Sequence, residues 1–135
     1  MHYLLETNIC IYLIKKRPPE ILERFREHLP QDVGISTITV FELQYGVEKS
    51  QYWQRSSDAL TKFLLPLNLI DPDRFSAEEA AVIRAQLEKK GLSIGPYDLL
   101  IAGLARSRDL TLVTNNTREF ERIVGLHIEN WIDPQ

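Results

Sequence analysis

Cysteine occurs once in this chain, at position 10, so neither an intrachain disulfide nor a cysteine-built zinc site can form. That scarcity suits a reducing, cytoplasmic setting. Histidine occurs three times, as His2, His28 and His127, with no spacing that pairs two of them, which disfavours a metal-free ribonuclease built on two imidazoles. No apolar run approaches the roughly 20 residues of a membrane span, and Met1 leads into a strand-like segment rather than a secretory leader. Positive charge is not in excess either: 16 Lys+Arg face 19 Asp+Glu, a net charge of −3 with neutral histidines. A general cationic coat for nucleic acid is excluded, whereas a local basic surface is not. Internal repeats, low-complexity tracts and linkers are missing, and 135 residues suit one domain, expected to span 1–135.

What is present alternates between short apolar runs and longer helical patterns. Tyr3-Leu4-Leu5, Val33 to Ser36, Leu67 to Ile70, Leu110 to Val113 and His127-Ile128-Glu129 read as strands. Between them the spacing predicts a helix capped by Thr7 and ending in Lys15-Lys16-Arg17, and helices over about 19–29, 37–49 and 51–65. Ser76-x-x-Glu79 predicts a capping box at the start of a helix that stops at Gly91. Pro96 opens a helix that is apolar nearly all round, and a short helix begins near Thr117. Short apolar strands alternating with helices point to an α/β fold whose parallel sheet is covered on both faces. Ligands in such sheets bind outside the carboxyl ends of the strands.

Three acids fall at that edge. Glu6 directly follows the first strand, Glu42 lies in the second turn of the helix after Ser36, and Asp98 is the third residue of the Pro96 helix. Thr114-Asn115-Asn116 follows the fourth strand. Taken singly, each has an ordinary reading: Glu6 and Asp98 as partners of a helix dipole, Glu42 as a solvated helix acid, and Asn116 as an N-cap with Glu119 reaching back. Their convergence changes the balance. Close carboxylates repel by roughly a few kcal/mol at intermediate dielectric, so either one stays protonated or a cation joins them. Carboxylate oxygens suit Mg²⁺ or Mn²⁺, and such an ion promotes attack of water on a phosphodiester.

The segments Leu4-Leu5-Glu6-Thr7-Asn8, Thr39-x-x-Glu42-Leu43-x-x-Gly46, Tyr97-Asp98-x-x-Ile101-Ala102 and Thr114-Asn115-Asn116-x-Arg118-Glu119-Phe120 resemble the PIN-domain ribonuclease toxins of the VapC type, in order and over essentially the whole chain. The resemblance implies a three-layer α/β/α sandwich with a central, mainly parallel sheet. It implies a Mg²⁺-dependent endoribonuclease, with Mn²⁺ as a substitute, acting on structured RNA, commonly tRNA. It also implies the toxin half of a type II toxin–antitoxin pair that forms a homodimer, is silenced by a VapB-type antitoxin and meets operator DNA only through that antitoxin. By position, Glu6, Glu42 and Asp98 match the family's core acids, with Glu6 and Asp98 as metal ligands. Asn116 stands where many relatives carry a fourth acid, with Glu119 as a nearby carboxylate, and Thr7, Asn8 and Thr114 match residues that line the site.

The first acid of the family is almost always aspartate. Glu6 keeps the charge but adds a methylene, and a displacement near 1 Å can cost about 100-fold in rate. Attenuated activity is therefore expected, and a weak or inactive module acting mainly in antitoxin binding is the alternative. RNA would be held by basic residues around the pocket, Arg118 foremost, with Tyr97 as the candidate stacking ring. Lys89-Lys90 reads as a solvated helix end, and Cys10 as a buried structural thiol.

Overall fold

The short apolar runs become strands because both of their faces find cover. The structure, a computed structural model, describes residues 1–132. Its elements are β1 (Tyr3–Leu5), α1 (Thr7–Lys15), α2 (Pro19–Arg26), a 3₁₀ turn (Pro30–Asp32), β2 (Val33–Ser36), α3 (Thr37–Glu48), α4 (Trp53–Leu64), β3 (Asn68–Ile70), α5 (Arg74–Lys89), α6 (Pro96–Ser107), β4 (Thr111–Val113), α7 (Thr117–Phe120) and β5 (Ile128–Glu129). The strands form one sheet in the order β3-β2-β1-β4-β5, and every pairing among the described residues is parallel. Consecutive strand residues face opposite ways. Leu4 and Leu112 enter a core with Ile83, Leu87, Leu99 and Leu104 from α5 and α6. Leu5 and Val113 enter the opposite core with Ile9, Leu13, Leu43 and Leu60 from α1, α3 and α4. Cys10 is fully buried in this second core. The expected α/β/α sandwich is therefore present, and no helix among the described residues is long and apolar enough to cross a membrane.

Two helix starts differ from expectation because another side chain takes the orphan N–H groups, and at a third the expected cap bond is missing. Glu6, not Thr7, is the N-cap of α1: its backbone is extended and its carboxylate accepts the Asn8 N–H. The capping box of α5 lies three residues earlier than the Ser76–Glu79 reading put it, because Asp73 accepts the Ser76 N–H at 2.9 Å while the Ser76 hydroxyl oxygen accepts the Asp73 N–H at 2.9 Å. Asn116 occupies the N-cap position of α7 but makes no side-chain bond to its backbone. The amide instead donates to the Glu119 carboxylate, so the expected capping box does not form.

Strand order decides where a site can lie. β2 and β3 extend the sheet to one side of β1, and the chain then returns through α5 and α6 to place β4 on the other side. The carboxyl ends of β1 and β4 thus flank a topological switch point. α6 runs from that edge to the amino edge, where the Thr111 N–H donates to the His2 carbonyl. α5 lies antiparallel to it, fixed by the Arg106–Glu79 ion pair at 2.8 Å and Arg108–Asp73 at 3.5 Å. Their closest approach is at Gly103, where a Cβ would sit 2.7 Å from both the Ala80 Cβ and the Ser76 carbonyl oxygen.

That contact gives a prediction of opposite signs at two helical glycines. Gly103→Ala has to push α5 and α6 apart and should destabilise by about 1–3 kcal/mol. Gly46→Ala, in α3 with nothing within 4 Å of the added Cβ, should stabilise by about 0.5–1 kcal/mol. Thermal melts of the two variants check this, and an unchanged melt for Gly103→Ala would contradict the tight helix contact.

Candidate active site

β1 ends at Leu5, and the next residue turns its carboxylate inward. Glu6 is only 3% exposed, and its Oε2 accepts the Asn8 N–H at 3.0 Å. Its Oε1 is 3.4 Å from the Thr114 hydroxyl, which follows β4 and is fully buried. Burial pushes the Glu6 carboxyl up from 4.5 to about 7, with Asp98 and Glu42 adding repulsion and the Asn8 and Thr114 contacts partly opposing the rise. Glu6 is thus both the cap of α1 and a strained acid at the switch point.

The second acid arrives on α3. Ser36 closes β2 and caps α3 by accepting the Ile38 N–H. One and a half turns on, Glu42 points back across the sheet edge, and its Oε1 accepts the Thr7 hydroxyl at 2.6 Å. Thr7 Oγ1 also lies 3.1 Å from Thr39 Oγ1. Because Thr7 spends its single proton on Glu42, the Thr39 hydroxyl is the donor in that pair. The relay Thr39 to Thr7 to Glu42 ties α3 to α1 and orients the carboxylate.

Asp98 sits in the first turn of α6, half-buried. A helix N-terminus ordinarily favours the charged carboxylate. Here burial, followed by repulsion from Glu42 and Glu119, raises its pKa from 3.8 to about 6. From the β4 side, the Thr114 hydroxyl oxygen accepts the Asn116 N–H at 2.9 Å, and Asn116 Nδ2 donates to Glu119 Oε2 at 2.9 Å. Glu6, Glu42, Asp98, Asn116 and Glu119 therefore share one electrostatic neighbourhood, with Thr7 and Thr114 bonded to its acids. Asn8 contributes its backbone N–H, while its side chain is exposed.

Beside the acids opens a concavity of about 450 Å³ lined by Thr7, Asn8, Ile11, Phe41, Glu42, Tyr45 and Tyr97. Tyr97 is 45% exposed, and its ring meets Phe41 edge-on at 5.6 Å. Arg118 is exposed and makes no ion pair among the described residues. Phe41 is a member of this site that the sequence reading left out, and Thr39 is one that it quoted in the Thr39-x-x-Glu42 segment without giving it a role. The signal for Thr39 was its place three residues before Glu42, on the same helical face. Phe41, next to Glu42 in sequence, carried no comparable signal.

No Lys, Arg or His among the described residues lies within ion-pair distance of Glu6, Glu42, Asp98 or Glu119. Carboxylates with raised pKa values and no basic partner are the donor set of a hard divalent cation. No three acids among the described residues are gathered tightly enough to enclose an ion by themselves. Mg²⁺ does not require that, since it commonly keeps several waters and uses one or two carboxylates plus substrate phosphate. The residues fit such an ion in that open form.

A PIN domain profile matches residues 3–126. The chain is 44% identical over 131 residues to the tRNA(fMet)-specific endonuclease VapC of Shigella flexneri, covering 97% of this chain and 98% of that protein. It is 46% identical over 132 residues to ribonuclease VapC2 of Haemophilus influenzae, covering 98% and 99%. A chain of the DNA-bound VapBC crystal structure from Salmonella typhimurium superposes with a TM-score of 0.91 at 46% identity, covering 97% of this chain and 98% of that one. PIN-domain nucleases generally depend on divalent metal. With its switch-point acids and its full-length similarity, the chain belongs to the PIN-domain family and, within it, to the VapC ribonucleases.

Proposed function

We propose that this chain, acting as one domain over residues 1–135, is the toxin of a type II toxin–antitoxin pair and hydrolyses phosphodiester bonds of structured RNA, tRNA foremost. The observation that carries the reading is the cluster of buried and half-buried acids at the β1/β4 switch point, with no basic side chain paired to it among the described residues. The Shigella relative's specificity for tRNA(fMet) supports the substrate class. The DNA-bound VapBC structure from Salmonella typhimurium supports a VapB-type antitoxin as partner, and the proposal includes operator DNA as a contact made only through that antitoxin. A homodimer and a cytoplasmic location complete the proposal.

In this reading Glu6 and Asp98 hold Mg²⁺, with Mn²⁺ as its substitute. A divalent ion held there supplies Lewis acidity, acidifying water and neutralising charge that grows on the phosphate. Glu42, oriented by Thr7 through Oε1, takes the proton of the attacking water on its other oxygen. The new bond joins water oxygen to phosphorus, the bond from phosphorus to the 3′ oxygen breaks, and the products carry a 5′-phosphate and a 3′-hydroxyl. Asn116 orients Glu119 and donates toward a phosphate oxygen. Thr114 and Asn8 steady Glu6, Arg118 meets the RNA backbone, and Tyr97 stacks on a splayed base. A second reading, a weak or inactive module serving antitoxin binding, draws on one observation: the Glu6 carboxylate is engaged as the cap of α1 and titrates near neutrality.

Three outcomes are expected. Antitoxin-free protein with total tRNA and Mg²⁺ or Mn²⁺ should cleave, and EDTA or Asp98→Asn should abolish cleavage. Glu6→Asp should cleave roughly 10- to 100-fold faster, because aspartate caps a helix equally well and draws the carboxylate back by one bond. An equal or slower Glu6→Asp enzyme would remove the attenuation claim, and cleavage surviving both controls would remove the metal mechanism. Stability should respond to pH with a defined sign. Between 4.5 and about 7 folded Glu6 holds a proton that the unfolded chain releases, so metal-free protein loses stability as pH rises through that window. Urea melts in EDTA should show wild type losing roughly 1–3 kcal/mol more than Glu6→Gln between pH 5 and 8. Mg²⁺ should restore the loss for wild type at pH 8, and identical pH profiles for the two proteins would contradict the assignment.

A further inference from the structure

Outside the acid pocket, the clearest unexplained feature is a concave patch of about 270 Å³ between the end of α5 and the segment after α7. Its floor is apolar, with Ile83, Leu87, Ile123 and Val124, and its cationic residues are Lys89, Lys90 and Arg122. None of these three cations is ion-paired among the described residues, and no acid lines the patch. In the sequence Lys89-Lys90 looks like an ordinary solvated helix end. The fold gives it a neighbour: Arg122 comes 33 and 32 residues later yet borders the same concavity.

The end of the patch formed by Lys89, Lys90 and Arg122 lies toward the acids' edge, while Val124, whose carbonyl accepts Arg106 Nη1 at 2.8 Å, reaches toward the other end of α6. α5 and α6 are antiparallel, so the last turn of α5 lies beside the first turn of α6, which carries Asp98. Arg122 Nη1 donates to the Ser93 carbonyl at 3.4 Å, five residues before Asp98. Arg122 also follows Asn116 by six residues, with α7 and its Arg118 between them. Arg118 and Arg122 therefore lie on the short segment that leads from Asn116 to the patch bordered by Lys89 and Lys90. The other basic run, Lys15-Lys16-Arg17, is at the far edge, because α1 starts at the carboxyl end of β1 and runs back along the sheet.

We propose that this patch is a secondary RNA-binding site that holds an unpaired nucleotide of the substrate away from the scissile bond. The proposal rests on the ribonuclease reading above. The chemistry is complementary on both counts: three unpaired cations meet backbone phosphates, and the apolar floor covers one face of an unstacked base, with the Arg122 guanidinium plane alongside. An acidic pocket repels RNA, so affinity has to come from cations placed near it, and this patch supplies three. It selects substrates whose loop reaches both places at once.

The test is binding of a fluorescent tRNA in EDTA, followed by anisotropy over a series of salt concentrations. The proteins are wild type, Lys89→Glu/Lys90→Glu, Arg122→Glu, the neutral set Lys89→Gln/Lys90→Gln/Arg122→Gln, and Lys15→Glu/Lys16→Glu as the far-edge control. The patch variants should weaken binding at least 10-fold. The neutral triple variant should flatten the log–log salt dependence by about 2, since each single-strand phosphate contact is worth about 0.7. The far-edge control should lose less than 3-fold. Patch variants that bind like wild type, or that lose no more than the far-edge control, would overturn the inference while leaving the ribonuclease reading intact. A wild type that neither binds nor cleaves tRNA would overturn both.

Discussion

Burial of Glu6 and partial burial of Asp98 beside other acids, with no basic partner, is the constraint on which the rest of this structure turns. Folding brings Glu6, Glu42 and Asp98 to one edge of the sheet and gives Glu6 and Glu42 hydroxyl or backbone donors, but none of the three a basic side chain among the described residues. The cost is visible in the raised pKa values of Glu6 and Asp98. A fold under selection for stability alone would relieve it with one lysine or arginine. Leaving it in place makes sense where a divalent ion and a phosphate complete the charge balance.

The two cores serve that edge. α1 and α3 close one face and are joined at the site by the Thr39–Thr7–Glu42 relay, while α5 and α6 close the other and deliver Asp98. β1 and β4, side by side in the middle of the sheet, bring Glu6 and Thr114 together although they are far apart in sequence. The Gly103 contact holds α6 at its depth against α5, so the position of Asp98 depends on a glycine more than a turn away on the same helix.

Much of this was legible in the residues. Strand runs such as Leu4-Leu5 and Leu112-Val113 are apolar because both faces are covered, so they announce a parallel sheet, and the carboxyl-edge rule then points to Glu6, Glu42, Asp98 and Asn116. Helix starts were less legible. Ser76 looks like a cap by its spacing to Glu79, but Asp73, three residues earlier, takes the Ser76 N–H and makes Ser76 the far member of the box instead. Asn116 and Glu119 fit a capping box by spacing, yet side-chain pairing wins because Thr114 already accepts the Asn116 N–H. The joining of Lys89-Lys90 with Arg122 was beyond reach, since it depends on how α5, α6 and the chain after α7 meet in space. Glu6 was half legible: its charge announced an acid site, while its second task as the cap of α1 emerged only from the backbone geometry.

The central claim, that these acids form a divalent-cation site, is tested most directly by calorimetric titration of antitoxin-free protein with Mn²⁺ near pH 6.5 in buffers of different ionisation enthalpy. With Glu6 titrating at about 7 and Asp98 at about 6, binding has to expel protons. The account predicts saturable uptake with net proton release, both lost in Asp98→Asn. Saturable binding without proton release, or binding unchanged by Asp98→Asn, would contradict it.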